Sequence, residues 1–153
     1  MKISKAGLEL IAYFEGVRLK PYRCPAQLWT VCIGHLIGDG HTLPDNWNRT
    51  FTLEEAYAIL AKDVARFERG VSMYCPVPLT QGQFDALVSF SFNLGLGTLQ
   101  RSSLRQKVNR GDWDGAKKVL LKYNKANGKV LKGLDLRRKA EAILFEPSNN
   151  RAN

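Results

Sequence analysis

The spacing of apolar positions along the chain changes character twice. From Ser4 to Glu15 it is helical: Ser4 stands where a cap is needed, and Leu8, Ile11 and Glu15 fall on one face. A carboxyl therefore closes an apolar stripe. Between Gly16 and about Pro44 the helical period is lost, and glycines, prolines and short β-prone runs such as WTVCI predict a small antiparallel sheet. Thr52 and Glu55 then make a capping-box pair, after which Leu53, Ala56, Tyr57, Leu60, Val64, Phe67 and Val71 hold a helical period for about five turns. One long helix is expected there.

Thr80 with Gln83 caps a further helix bearing Phe84, Leu87 and Val88, and Asp112 caps another bearing Trp113, Ala116, Leu120 and Tyr123. A shorter helix near 102–109 and a last one near 133–145, with Leu136, Ala140, Ile143 and Leu144 as its apolar set, complete a helical lobe. The fold class is α+β and helix-dominated. Residues 1–153 are read as one domain, with a β lobe at about 16–50 and a helical lobe at about 52–145 that takes in the N-terminal helix. The polar tail at 146–153 is expected to fray.

Composition narrows the class. A chain of 153 residues, 44% hydrophobic and 24% charged, is ordinary for a globular protein. No stretch approaches the roughly 20 apolar residues of a membrane span. Lys5, Glu9 and Glu15 interrupt the first helix, so it does not read as a secretory signal. Three cysteines, Cys24, Cys32 and Cys75, are an odd count without metal-ligand spacing, and His35 and His41 complete no cluster with them. No metal site and no disulfide framework are expected. Cys32 and Cys75 read as small buried fillers, although a Cys24–Cys32 bridge across the expected hairpin stays open as an alternative under oxidising conditions.

A net charge of +9 favours polyanionic partners. The residues Lys117, Lys118, Lys122, Lys125, Lys129, Lys132, Arg137, Arg138 and Lys139 are read as a solvated face, with transient contact to anionic envelope polymers or lipid as its functional alternative. Nucleic acid is not expected, since no binding motif accompanies the charge.

Glu15 stands where the first helix hands over to the sheet. Burial of its helix face would disfavour the charged carboxylate, which suits a general acid; the competing reading is an exposed residue at a helix end. The surrounding sequence decides between them. FEGVRLKPYRCPAQLWTVCIGH resembles the T4-type phage lysozymes, glycoside hydrolase family 24, in which a Glu is followed nine residues later by Asp or Cys and six further on by Thr: here Glu15, Cys24 and Thr30. The resemblance continues through VPLTQGQFDALVSFSFNLGLGTLQRSSLRQKVNRGDWDGA and YNKANGKVLKGLDLRRKAEAILF, nearly the whole chain.

The resemblance implies a lysozyme-like fold, in which a long helix joins a small β lobe to a larger helical lobe. It also implies an endolysin that hydrolyses, with inversion, the β-1,4 bond between N-acetylmuramic acid and N-acetylglucosamine of peptidoglycan. Glu15 would protonate the leaving oxygen, while Cys24 and Thr30 position or activate water. His35 and Leu36 from the sheet side, and Phe92 and Asn93 from the helical side, would line the saccharide site, with Asn93 hydrogen-bonding an N-acetyl group and His35 outside the chemical step. No cofactor is implied, and a monomer is expected. The expected route is through the host cytoplasm, with a separate holin opening the way to the wall.

Two departures stand out. No Asp or Glu lies between Gly16 and Gly38, so the second functional group is Cys24, with Arg23 and Lys20 as candidates for favouring its thiolate. Cys32 stands where many relatives have glycine, which puts the local backbone in question. The missing carboxylate keeps a lytic transglycosylase, leaving 1,6-anhydro ends, as an alternative. A basic, non-enzymatic wall- or membrane-disrupting protein is the other.

Overall fold

The computed structural model describes residues 1–146, so the tail expected at 146–153 lies, apart from Glu146, outside the described residues. The chain divides into two compact units, one formed by Leu8–Ala65 and the other by Met1–Gly7 together with the chain from Arg66 onward.

The first helix, α1 (Lys5–Glu15), is capped as its sequence requires, with the Gly7 amide donating to Ser4 Oγ at 3.1 Å. Gly16, at φ +83°, ends it, its amide reaching back to the Ala12 carbonyl at 2.9 Å. The chain then forms an antiparallel sheet in the order β1 (Arg18–Arg23), β2 (Trp29–Cys32) and β3 (His35–Leu36). Thr30 lies opposite both Tyr22 and Leu36, and Arg18 opposite Cys32; the β1–β2 register slips between Arg18 and Tyr22. Pro21 sits in that slip, where a missing amide N–H does least harm to the ladder. After a 3-10 turn at Asp45–Trp47, α2 (Leu53–Asp63) starts from a complete capping box: Glu55 N to Thr52 Oγ1, and Thr52 N to Glu55 Oε1, both 3.0 Å. Ile11, Val31, Ile33, Ala56 and Leu60 of this unit are all buried.

The single long helix expected over 53–71 is two helices. α2 stops at Asp63, and α3 (Ala65–Tyr74) begins after one residue. Val64 stays right-handed, but its ψ of −14° tightens the turn and its amide faces both the Leu60 and Lys62 carbonyls, so the regular ladder lapses there. Leu53, counted with the apolar stripe, is exposed at the start of α2.

In the other unit, α4 (Gln81–Leu94) is the centre: every residue from Gly82 to Ser91 is buried. Its Thr80–Gln83 capping box is complete. Around it stand α5 (Leu96–Arg101), α6 (Ser103–Asn109), α7 (Trp113–Leu121), capped by Asp112, and α8 (Lys132–Leu144). α5 and a small hairpin, β4 (Lys125–Ala126) with β5 (Lys129–Val130), are additions to the sequence reading. The hairpin turns on Asn127 and Gly128, both at positive φ, the left-handed pair that a two-residue hairpin favours.

The last helix turns a different face inward from the one its apolar residues suggest. Leu136 and Ile143 are exposed, Ala140 and Leu144 are half-buried, and Arg137, Arg138, Glu141 and Ala142 are buried. The physical reason is a paired charge cluster, in which Arg138 Nε and Nη1 and Glu141 Oε1 make no hydrogen bond of their own among the described residues. Glu141 accepts from Ser89 Oγ at 2.6 Å, and Arg138 Nε lies 2.8 Å and Arg137 Nε 3.5 Å from its oxygens. Arg137 also donates to the Ser89 carbonyl at 3.1 Å. Burial pushes the Glu141 carboxyl up, and Arg138 is the first partner to oppose it. Arg137 and Arg138 therefore leave the solvated basic face expected over 117–139, and its lysines remain.

The N-terminus is tied into this unit over a long sequence distance. Ile3 N donates to Glu68 Oε2 at 2.7 Å, and Ser4 reaches the buried Asp85 carboxylate through both its amide and its hydroxyl. Gln81 Nε2 adds a third donor to Asp85 at 2.8 Å. A Cβ on Gly7 would come within 2.5 Å of Ile3 and 2.8 Å of the Asp85 carboxyl carbon. Gly7→Ala is accordingly expected to destabilise the protein by about 1–3 kcal/mol, the usual range for overpacking. The check is a lower denaturation midpoint at unchanged m-value; no shift would mean that Asp85 is free to move.

Candidate active site

The sheet unit holds the three residues marked by the family spacing. Glu15 is the last residue of α1 and is half-buried. Gly34, at φ +64° in the turn between β2 and β3, lies beneath it: a Cβ there would sit 3.3 Å from Glu15 Oε1. The positive φ favours glycine at 34, and its lack of a side chain leaves the carboxyl uncrowded.

Cys24 and Thr30 are brought together by the loop between β1 and β2. The Gln27 amide bonds the Cys24 carbonyl at 2.7 Å, with Pro25 pre-setting the turn, and Gln27 itself takes φ +64° before the Cys24 amide meets the Leu28 carbonyl at 2.9 Å. This wraps the loop around the sulfur. The Leu28 amide is the largest influence drawing the Cys24 thiol below its ordinary value, with the Ala26 amide and the Thr30 hydroxyl adding to it against partial desolvation. Thr30 is buried and its hydroxyl donates to the Leu28 carbonyl at 3.0 Å.

This replaces the expected source of thiolate stabilisation. Arg23 lies over the Trp29 ring, 5.0 Å from its centroid, and neither it nor Lys20 is among the groups that lower Cys24. The amides of Ala26 and Leu28 were not legible as functional groups, although the Pro in CPAQL marks the turn that aims them.

Cys24, Cys32 and Cys75 are free thiols, and the alternative of a Cys24–Cys32 bridge does not fit the register. Cys24 is level with Leu28, four residues from Cys32 along the strand, or about 13 Å, well beyond disulfide reach. Cys32 is fully buried at φ +61°, a left-handed conformation that glycine adopts without strain, which answers the question raised by the family's glycine there. Burial pushes its thiol up, and pushes that of Cys75 up to about 11.

His35 donates or accepts at Asp63 Oδ2 over 2.8 Å and stacks on Trp47 at 5.3 Å between centroids, so structural contacts hold its ring. Leu36 beside it is 43% exposed. Trp47 also borders an open hollow of about 340 Å³, together with Asn46, Arg49, Phe51, Glu55, Ala58 and Ile59; no expected site residue lines it. In the other unit, Phe92 meets Phe67 edge-on at 5.2 Å, and Asn93 Oδ1 accepts from Arg138 Nη2 at 2.8 Å; both are half-buried on the last turn of α4. Among the described residues no three His, Cys, Asp or Glu side chains gather to hold a metal ion. Nor is any helix of the described residues long and apolar enough to cross a membrane.

A helical body with a three-stranded sheet, a glutamate at the end of the first helix, and a hydroxyl and an acidic group on the following hairpin define a lysozyme-like protein. The phage lysozyme family model matches residues 12–141, and the chain belongs to that family of peptidoglycan-degrading enzymes. It is similar to the endolysin of Acyrthosiphon pisum secondary endosymbiont phage 1, 43% identical over 95% of this chain and 99% of that protein. The endolysin of Bacillus phage B103 is 42% identical over 95% of this chain, which spans 54% of that longer protein. Among solved structures, the muramidase domain of SpmX from Asticaccaulis excentricus superposes with a TM-score of 0.81 at 36% identity, covering 94% of this chain and 97% of that one.

The contrast among the cysteines predicts one fast-reacting thiol. At pH 7.5, about, with a small alkylating reagent, intact-mass analysis should show a single adduct on Cys24 in the native protein and three adducts only after denaturation. Native labelling of Cys32 at a comparable rate would contradict the burial described here.

Proposed function

We propose that this chain hydrolyses the β-1,4 bond between N-acetylmuramic acid and N-acetylglucosamine with inversion at the anomeric carbon. The observation that carries the reading is the Cys24 sulfur, drawn toward the thiolate by the Leu28 and Ala26 amides and flanked by the Thr30 hydroxyl. Such a group can accept a proton from water where relatives use a carboxylate. Cys24, Thr30 and Glu15 belong to the same unit, with Glu15 resting on the turn that follows β2.

Glu15 gives its proton to the glycosidic oxygen as the C1–O bond breaks; water held by Thr30 attacks C1 from the opposite face and yields its proton to the Cys24 thiolate. Leu36 and Phe92 supply apolar contact to the sugars and Asn93 a hydrogen bond to an N-acetyl carbonyl, while His35, fixed by Asp63 and Trp47, supports the turn. The muramidase name of the SpmX domain agrees with this bond assignment.

Glu15→Gln is expected to fold normally and to lose glycan cleavage by at least a hundredfold, the usual loss on removing a general acid. Mass spectrometry of muropeptides released by the wild type separates the reaction types. Reducing ends carrying one added water are expected; 1,6-anhydro ends would make it a transglycosylase, and undiminished lysis by Glu15→Gln would make it non-enzymatic.

Cys24 gives a pH test. Because the thiolate is the competent form and its pKa is lowered, activity should be present above that pKa and fall as pH drops through it, on the acid side of an ordinary thiol. Cys24→Asp should remain active to lower pH, since a reference Asp ionises near about 3.9, and should resist alkylation. Cys24→Ala should lose most activity. An alanine variant as active as wild type would reduce Cys24 to packing.

A further inference from the structure

We propose that Arg138 and Glu141 are positioning residues that lock the Asn93 side chain as a hydrogen-bond donor toward substrate, making the enzyme selective for N-acetylated over de-N-acetylated glycan. The inference rests on the sugar-binding role proposed above for Asn93 and adds the two residues behind it.

The geometry is a relay from a buried charge to a half-exposed amide. Arg138 and Glu141 are both fully buried. Arg138 Nε lies 2.8 Å from Glu141 Oε1, and Arg138 Nη2 reaches Glu141 Oε2 at 3.2 Å. The same Nη2 donates to Asn93 Oδ1 at 2.8 Å. Glu141 is pinned in turn by Ser89 Oγ at 2.6 Å. Arg138 Nη2 thereby joins Glu141 to Asn93, while Arg138 Nε and Nη1 make no hydrogen bond among the described residues.

A guanidinium only donates. The Asn93 atom facing it must be the carbonyl oxygen, so the amide orientation follows from chemistry rather than from a choice between two similar atoms. The NH2 group then points away from Arg138, and no acceptor among the described residues takes its protons. A half-buried amide held in this sense offers donors alone. An acetamido carbonyl accepts them; an ammonium, left when the acetyl group is removed, would meet donor against donor with a cation behind. A free asparagine could flip and offer its oxygen instead. The clamp forbids that flip.

The test measures binding in the Glu15→Gln background, by calorimetric titration with N-acetylglucosamine oligomers and with their fully de-N-acetylated counterparts. The protein with the clamp intact should prefer the acetylated oligomer by at least tenfold, and Arg138→Met/Glu141→Leu should reduce that preference to within about threefold by freeing the amide, as should Asn93→Ala. The double change removes both charges together, which buried pairs tolerate better than the loss of one partner; an unchanged melting temperature checks the fold. Should it fail to fold, Arg138→Lys retains the charge but not the planar bridge and should lose part of the preference. A folded Arg138 variant with undiminished acetyl preference overturns the proposal, as does a protein with the clamp intact that binds both oligomers equally. Cleavage that survives Glu15→Gln would instead count against the hydrolytic reading, so the two failures are distinct.

Discussion

The placement of the acidic site depends on where the first helix is allowed to stop. Gly16 takes φ +83°, a conformation that costs a residue with a side chain about 1 kcal/mol or more, and so α1 ends at Glu15 rather than a turn later. Gly34 adds to the constraint from the other side: it takes φ +64°, and a Cβ on it would press on the Glu15 oxygen at 3.3 Å.

In the proposed mechanism, a thiol in place of a second carboxylate changes how the hairpin must work. A carboxylate is ionised at neutral pH without help, whereas a sulfur needs its charge favoured by the surroundings. The β1–β2 loop supplies this with backbone amides, which are independent of side-chain identity, rather than with the neighbouring cations. Arg23 is drawn off to Trp29, and Arg18 likewise lies over Tyr22 at 4.0 Å. Local dipoles aimed by a turn outweigh formal charges that have better partners elsewhere.

Much of the fold was legible because its local signals are strong. Ser4, Thr52, Thr80 and Asp112 all cap the helices their positions predict, since an amide at a helix start has few other partners. Cys24 and Thr30 were legible only through the family spacing that begins at Glu15, not from the hairpin itself. What escaped is instructive in physical terms. In α8, counting apolar residues puts arginine and glutamate outside, yet Arg137, Arg138 and Glu141 pair with one another and with Ser89 and go in, leaving Leu136 and Ile143 out. The lapse at Val64 had no signal at all, because every residue around it is compatible with helix. The Asn127–Gly128 turn had a clear one, in a stretch whose lysines drew attention to charge instead.

The larger unit is discontinuous in sequence: Ile3 and Ser4 bond Glu68 and Asp85, while Glu141 closes the cluster on α4 from the far end of the chain. During synthesis, every residue of the Leu8–Ala65 unit has been made before the first residue of α4 appears. The other unit must wait for α8 to leave the ribosome. The Ile3–Glu68 and Ser4–Asp85 closures become possible once α4 has begun, and the Ser89–Glu141 closure, over 52 residues, comes last; the entropic cost of such closures grows only slowly with length. A nascent chain stopped short of Glu141 has its Glu15 and Cys24 but lacks the carboxylate that Ser89 of α4 and the two arginines of α8 pair with.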